Sequence, residues 1–432
     1  MTKHWIKNFD QLATTENRKN AMEIMEAGLD AINTQEVIRN KIKLENNILT
    51  INGESFDLTK FKNIKVVGFG KSSCEGALVL EEILGSRIKE GAVIGLCKAN
   101  TVHIETFEGT HPKPSEVNVL AGKRIYEIVK DSTIDDLIIV LVSGGGSALL
   151  CYPETESAMG AKLYDAFLGS GKTIIEINTI RKHLSLLKGG GLAKLAYPAT
   201  IVGLIFSDIP GDDFENVASG PTCKDETTVS DAKKIIKESN LGEFDLIETP
   251  KEDKYFEKVH NFVLVSNKIA VEAMAKKAEE LNFKTNIVST NLYDEEEKAT
   301  QKIFSAKEEN TVVLVAGEPE IVITKKGGKG GRNLHMGLEV IKNEMINKKN
   351  TKENYSDFVF ISFASDGMDN SDVAGAVVDK NTLEKAEKLS LSIDDYLERF
   401  DSYNFFQKTG DMIITGPTGA NVSDLMILLK KK

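Results

Sequence analysis

No stretch of this chain approaches the ~18 consecutive apolar residues of a membrane-spanning helix. Its longest apolar runs, such as residues 137–143, have the length of a strand. The opening MTKHWIKNFDQL lacks the apolar core of a secretory signal. Cysteine is scarce. Cys74, Cys97, Cys151 and Cys223 stand far apart, with no CxxC pair and no His/Cys metal spacing. That excludes a disulfide scaffold and implies reduced thiols. Basic charge is also short: 54 Lys and Arg face 65 Asp and Glu, a formal net charge of −11. Such a balance argues against a general nucleic-acid or acidic-membrane binder, yet a pocket for an anionic substrate can still be locally basic. Internal repeats and low-complexity tracts are absent. The expectation is a cytoplasmic enzyme with no nucleic-acid or membrane partner.

The chain has 432 residues, 41% of them hydrophobic and 28% charged. That suffices for two or three domains with cores of their own. The N-terminal stretch to about residue 40 has helical spacing. Thereafter apolar, β-rich runs alternate with helical segments. NIKVVGFG is a strand and CEGALVLEEIL a helix; GAVIGL is a strand, and SEVNVLAGKRIYEIVKD a helix with Ser115 as N-cap. DDLIIVLVSGGGSALL and TIVGLIFSDIPGDD are strands running into loops. This alternation predicts a parallel sheet covered on both faces. Residues 224–258 are charged and poor in motifs, and the domain boundary is placed there, giving domains 1–255 and 256–432. NFVLVSN then opens the second domain, and MINKKNTKENYSD reads as a solvated polar loop.

Glycine, serine and aspartate clusters follow the apolar strands directly, where open α/β sheets bind ligands. Gly68-Phe-Gly-Lys-Ser72 joins a strand to a helix. It has Ser73 where a dinucleotide fingerprint needs its third glycine, and Lys65 where a Walker A loop needs its first. What remains is Lys71 at a strand–helix junction, facing any anion held there. Residues 166–173 match a relaxed phosphate-loop string ending in Lys172-Thr173. A true phosphate loop follows a buried strand, whereas AMGAKLYDAFL before it has helical spacing. A helix–turn–helix with a solvated Lys172 is the expectation. Ser143, Gly144, Gly145, Gly146 and Ser147 form either a loop offering backbone amides to phosphate or a tight packing turn. Arg181 and Lys188 are seven residues apart in a helical pattern, which puts them on one face, either anion-binding or merely solvated. Asp208, Asp212, Glu318 and Asp366 follow strands. Carboxylates there suit Mg²⁺ or a base for a hydroxyl, and they also suit plain turns. Gly327-Gly-Lys-Gly-Gly-Arg332-Asn333 adds a guanidinium in a glycine loop, and TGPTGAN ends at Asn421. Donor loops, acids and cations are the parts of a phosphoryl-transfer site.

Taken in order, VVGFGKSS, GTHPKPSE, VSGGGSALL, IIEINTIRKHLSLLKGGGLA, SDIPGDDFENVASGPT, GKGGRN, SDGMDNSDVAGAVVD and TGPTGANVSDL resemble the glycerate 2-kinase family, whose C-terminal half is called the MOFRL domain. The resemblance implies a two-domain α/β enzyme: an N-terminal Rossmann-like parallel-sheet domain and a C-terminal MOFRL-type α/β domain, with the active site in the cleft between them. It implies ATP, Mg²⁺ and phosphorylation of D-glycerate to 2-phospho-D-glycerate. Lys71 and Arg332 match residues regarded as catalytic in the family. The expected site has Asp366 or Asp208 at the glycerate hydroxyl and Arg181 or Lys188 at its carboxylate. ATP is expected on the 143–147 loop with Gly330, Asn333 and Asn421. Mg²⁺ is expected on some of Asp208, Asp212, Glu318 and Asp366. The chain departs from the family pattern at Gly191, where arginine is usual, and at AGEPEI. Three alternatives stay open: an NAD(P)-dependent hydroxypyruvate reductase, a kinase forming 3-phosphoglycerate, and a nucleotide sensor without turnover. The oligomeric state is open, with a homodimer as the candidate assembly.

Overall fold

A computed structural model describes residues 4–167, 173–211, 213–323, 327–351 and 357–431. The chain folds as two units. The first comprises Thr34–Ile209 and Asp213–Val265; the second comprises Met1–Asn33, Pro210–Asp212 and Ser266–Lys432.

The first unit is built on a six-stranded sheet in which every neighbouring pair is parallel. Its order is Ile104–Glu108, Ile88–Gly95, Asn63–Phe69, Asp136–Ser143, Thr200–Phe206, Val259–Val265. By chain order this is 3-2-1-4-5-6, the doubly wound arrangement, and the order reverses between Asn63–Phe69 and Asp136–Ser143. All eight residues of DLIIVLVS are buried, because a central parallel strand has helices on both faces. Helix Glu116–Val129 begins at the expected cap: Ser115 donates both its N–H and its hydroxyl to Asn118 Oδ1. Helices Thr155–Phe167, Ile174–Leu184 and Val229–Glu238 share a smaller core of Leu163, Ile177, Ile180, Leu184, Ala232 and Ile236. A short antiparallel sheet of Ile42–Glu45, Ile48–Ile51 and Glu54–Asp57 completes the described strands of this unit.

The second unit has a mixed sheet ordered Lys284–Leu292, Thr311–Gly317, Asp424–Lys430, Val359–Ala364, Gly375–Asp379, Met412–Ile413. Its first pair is parallel and the others are antiparallel. The alternation of strands and helices does not reveal this, because the last strand of the chain inserts at the centre. Asp424, at its start, pairs with Gly317 on one side and Ala364 on the other. Two strand C-termini and one strand N-terminus therefore meet at one sheet edge.

The units divide the chain differently from the expected boundary at 255/256. Val259–Val265 is the sixth strand of the first sheet. Helix Glu16–Ile32 belongs to the second unit, where Arg18 is 1% exposed and fully engaged. Its Nε and Nη2 donate to the two oxygens of Asp379 at 2.7 and 2.6 Å, and Nη1 donates to Asp411 at 2.9 Å. A buried guanidinium is tolerated only when paired in this way. The first half of MINKKNTKENYSD is not a loop, because helix Arg332–Thr351 runs through it; residues 352–356 lie outside the described residues. Among the described residues no helix is long and apolar enough to cross a membrane.

Candidate active site

In the first unit the two loops at the strand-order reversal are locked together. The Lys71 N–H donates to the Gly144 carbonyl at 2.9 Å, and Ser143 Oγ accepts from the Ser72 N–H at 3.1 Å. Gly70 between them has φ +118°, and a Cβ there would lie 2.2 Å from Ser143 Oγ. Gly144 is bare because a Cβ would fall 2.0 Å from Asp208 Oδ2, so the Asp208 carboxylate lies against the loop backbone. Gly145, at φ +77°, opens the one-turn helix Gly146–Leu149. Its Cβ position is 3.2 Å from His111 Cδ2 and 3.3 Å from Lys71 Cγ. Ser147 Oγ is 2.8 Å from Ser219 Oγ. Lys71, His111 and Asp208 thus ring the 143–147 loop. Partial burial and the charges of Lys71 and Arg181 hold His111 below the ordinary histidine range. Burial also lowers Arg181, against the opposing pull of Glu156 and Tyr164, but a guanidinium stays charged. The set Lys71, His111 and Arg181 suits an anionic substrate.

Lys188 does not join them. Helix Ile174–Leu184 stops short of it, so the seven-residue spacing does not place Arg181 and Lys188 on one helical face. Lys188 is 2% exposed and ion-paired with Glu156, which also accepts the Tyr152 N–H at 2.8 Å. A lysine spent on a buried carboxylate is unavailable to a substrate carboxylate, so Lys188 is a structural residue. Lys172 and Asp212 lie outside the described residues. The segment before the phosphate-loop-like string is the helix Thr155–Phe167, not a strand.

In the second unit the sheet edge at Asp424 floors a cavity of about 370 Å³ whose walls include Glu318, Gly330, Arg332, Asp366 and Asn421. Arg332 is the first residue of helix Arg332–Thr351. Its Nε donates to Asp424 Oδ2 at 2.5 Å, and Nη2 lies 3.5 Å from Glu318 Oε2. Asp366 is half-buried, with Oδ1 accepting the Met368 N–H at 3.0 Å. Gly330, at φ +142°, has its carbonyl bonded by Asn370, and Asn421 accepts the Ser423 N–H. Asn333 is 1% exposed and faces inward. Its Nδ2 donates to Asp369 and Asp424, and its Oδ1 accepts from Ser362 at 2.6 Å. With these atoms spent inside the protein, Asn333 supports Arg332 instead of meeting a cofactor. Burial pushes Asp424 up to about 7, against the pull of Arg332 and Asn333, with Asp369 pushing further. Burial likewise raises Asp369. His335 is pushed down to about 4, first by burial and then by Lys342.

Asp369, Asp424 and His111 were not among the expected site residues, although all three fall inside the motifs SDGMDN, SDL and GTHP. An aspartate opening an apolar strand, as in DLMILLK, was the available signal for Asp424. Of the expected metal ligands, Asp208 is in the first unit, whereas Glu318 and Asp366 are in the second, with Glu318 beside Arg332. Among the described residues no group of three or more His, Cys, Asp or Glu side chains is placed to hold a metal. The cavity wall nevertheless carries four carboxylates, Glu318, Asp366, Asp369 and Asp424, against one guanidinium. Such a wall suits a polyphosphate that brings its own cation, and Mg²⁺ in that setting needs only one or two protein carboxylates.

Residues 20–248 match a domain of unknown function (DUF4147), and residues 311–424 match the MOFRL family. Glycerate 2-kinase of Pyrococcus horikoshii is 34% identical over 447 residues, covering 95% of this chain and 98% of that protein. D-glycerate 2-kinase of Thermotoga maritima is 31% identical over 433 residues, covering 95% and 97%. The solved structure of a Thermotoga maritima glycerate kinase matches with a TM-score of 0.82 at 29% identity, covering 95% of this chain and 99% of that one.

Proposed function

The chain belongs to the glycerate 2-kinase family, and on that premise we propose that it transfers the terminal phosphoryl group of ATP to the 2-hydroxyl of D-glycerate. The observation that carries the reading is Lys71 at the sheet's switch point, hydrogen-bonded through its backbone to the 143–147 glycine loop. In the proposed reaction the glycerate 2-oxygen attacks the γ-phosphorus, the bond to the β–γ bridging oxygen breaks, and ADP leaves. Asp366 orients the hydroxyl and takes its proton. The amides of the 143–147 loop and the Lys71 ammonium hold phosphate oxygens, and Arg332 neutralises charge on the group in transit. Arg181 and His111 face the glycerate carboxylate. Mg²⁺, when bound, neutralises β- and γ-phosphate charge, and one carboxylate, Asp208 or Glu318, would hold it. A cytoplasmic location belongs to the same reading, and a homodimer is checked by the mass of the assembly in solution.

The test is phosphorus NMR of the product formed from D-glycerate, ATP and Mg²⁺. The expected signal is that of 2-phosphoglycerate. The 3-isomer would overturn the position of transfer, and no phosphoglycerate at all would overturn the reading. Oxidation of NADH by hydroxypyruvate without ATP would establish the reductase instead. Against that rival, the strand–helix turn carries Ser73, the first residue of helix Ser73–Leu84, where a dinucleotide fingerprint has its third glycine.

A further inference from the structure

We propose that Asp424 is the positioning residue for Arg332, fixing the guanidinium so that its remaining N–H groups meet the transferring phosphoryl group; this rests on the kinase reading above. Arg332 leaves a glycine loop and begins a helix, so its backbone alone does not orient a long side chain. Its Nε is held at 2.5 Å by a carboxylate that is 5% exposed, whereas Glu318 lies 3.5 Å from Nη2 and is far more exposed. Among the described residues Nη1 has no hydrogen-bond partner. The fork is therefore anchored at one edge and open at the other.

The anchor is rigid for reasons visible around it. Asp424 sits between strands on both sides, paired in register with Gly317 and Ala364. Its second oxygen accepts from Asn333 Nδ2 at 2.8 Å. Asn333 is fixed in turn by Ser362 at 2.6 Å and by Asp369 at 3.1 Å. Asp369 also accepts the backbone N–H groups of Asn333 and Leu334 at 2.9 and 2.8 Å. That caps the helix and occupies amides that would otherwise suit a phosphate. With the Asn333 and Leu334 amides closed to phosphate, the Arg332 side chain is the cationic donor that this helix start offers the cavity, and its orientation depends on Asp424. Gly331 allows the arrangement, since a Cβ there would meet the Asp369 carbonyl and carboxylate at 2.4 Å.

The test is a double-mutant cycle with Asp424→Asn and Arg332→Ala, measuring steady-state kcat and KM for ATP and glycerate, with circular dichroism to verify folding. The wild-type phosphorus NMR product is established first, so that failure of the kinase reading is seen separately. Asp424→Asn is expected to lower kcat by roughly 10–100-fold with KM for ATP within about threefold, since a displacement of about 1 Å is enough for such a loss. In the Arg332→Ala background the same change should have almost no further effect, because the residue it positions is gone. Equal fold-losses in both backgrounds would overturn the proposal and make Asp424 a general structural residue, as would an unchanged kcat in folded Asp424→Asn. Ser362→Ala gives the same cycle with a milder change, should Asp424→Asn not fold. A loss of roughly 2–5-fold is expected from it, and it too should vanish without Arg332.

Discussion

Replacing Gly70 by alanine tests whether the two loops at the switch point are locked as closely as their geometry indicates. Gly70 has φ +118°, a region that L side chains rarely adopt, which costs on the order of 1–3 kcal/mol. The new Cβ would also meet Ser143 Oγ at 2.2 Å, the Ser143 carbonyl oxygen at 2.3 Å and its carbon at 2.6 Å. Two of those atoms are backbone and cannot rotate away, so the loops must separate, and overpacking of this kind adds about 1–3 kcal/mol. The sum, roughly 2–6 kcal/mol, is a large part of an ordinary folding free energy of about 5–15 kcal/mol. Gly53→Ala is the control: φ is +93°, but nothing lies within 4 Å of its Cβ position, so it carries strain without collision. Thermal unfolding by circular dichroism should place Gly70→Ala well below Gly53→Ala, and kcat should fall only in the former. Turnover suffers because Ser143 holds the Ser72 N–H and the Gly144 carbonyl holds the Lys71 N–H, so separating the loops moves Lys71. If Gly70→Ala melts with Gly53→Ala and keeps wild-type kcat, the loops are not in contact as described and Lys71 does not depend on them.

Lys71→Ala should fold normally and lose most of its kcat; wild-type turnover in the folded variant would remove Lys71 from the mechanism. Burial pushes Cys74, Cys151 and Cys223 up to about 12, while Cys97 is exposed, so at pH 8 a thiol reagent should label Cys97 well before the others, read by peptide mass spectrometry, and equal labelling of all four would refute this. His335, with its folded value lowered to about 4, contributes stability that is present above pH 6.5 and lost as pH falls from there toward 4. Asp424, raised to about 7, acts oppositely: its burial is cheapest at low pH and grows costly as pH rises from about 4 to 7. Each effect reaches roughly 3–4 kcal/mol, so wild-type melting should vary little over that window on their account. His335→Gln and Asp424→Asn should acquire melting slopes of opposite sign, and slopes of the same sign would refute the assignment.

The first sheet was legible because parallel strands buried on both faces leave uninterrupted apolar runs, and the glycine loops after them marked the ligand end. Strand order was not legible. Lys71 and Gly144 are far apart in sequence, and only the reversal between Asn63–Phe69 and Asp136–Ser143 makes them neighbours. In the second unit the strand DLMILLK could be recognised, but nothing in it announces that it enters the centre of the sheet antiparallel to both neighbours. The N-terminal helix was legible as a helix. Its placement was not, because its apolar face packs against the distant helix Asn267–Glu280 and its Arg18 meets two aspartates more than 350 positions away.

The site residues divide along a different line. Sequence shows which polar groups exist near a strand end, not whether their hydrogen-bonding capacity is already spent. Lys188 and Asn333 are polar residues in the right motifs, yet Glu156 consumes the one, and Asp369, Asp424 and Ser362 consume the other. Arg332 differs because five N–H donors in a plane allow part of the fork to be spent on Asp424 while the rest remains for a ligand. A lysine there would be a point charge that a buried carboxylate could claim whole, as Glu156 claims Lys188. Arginine is therefore the cation that can be both fixed and functional at this sheet edge, and Arg332→Lys should resemble Arg332→Ala in kcat much more than wild type. A lysine variant with near-wild-type kcat would show that charge alone, without the anchored fork, is what this position supplies.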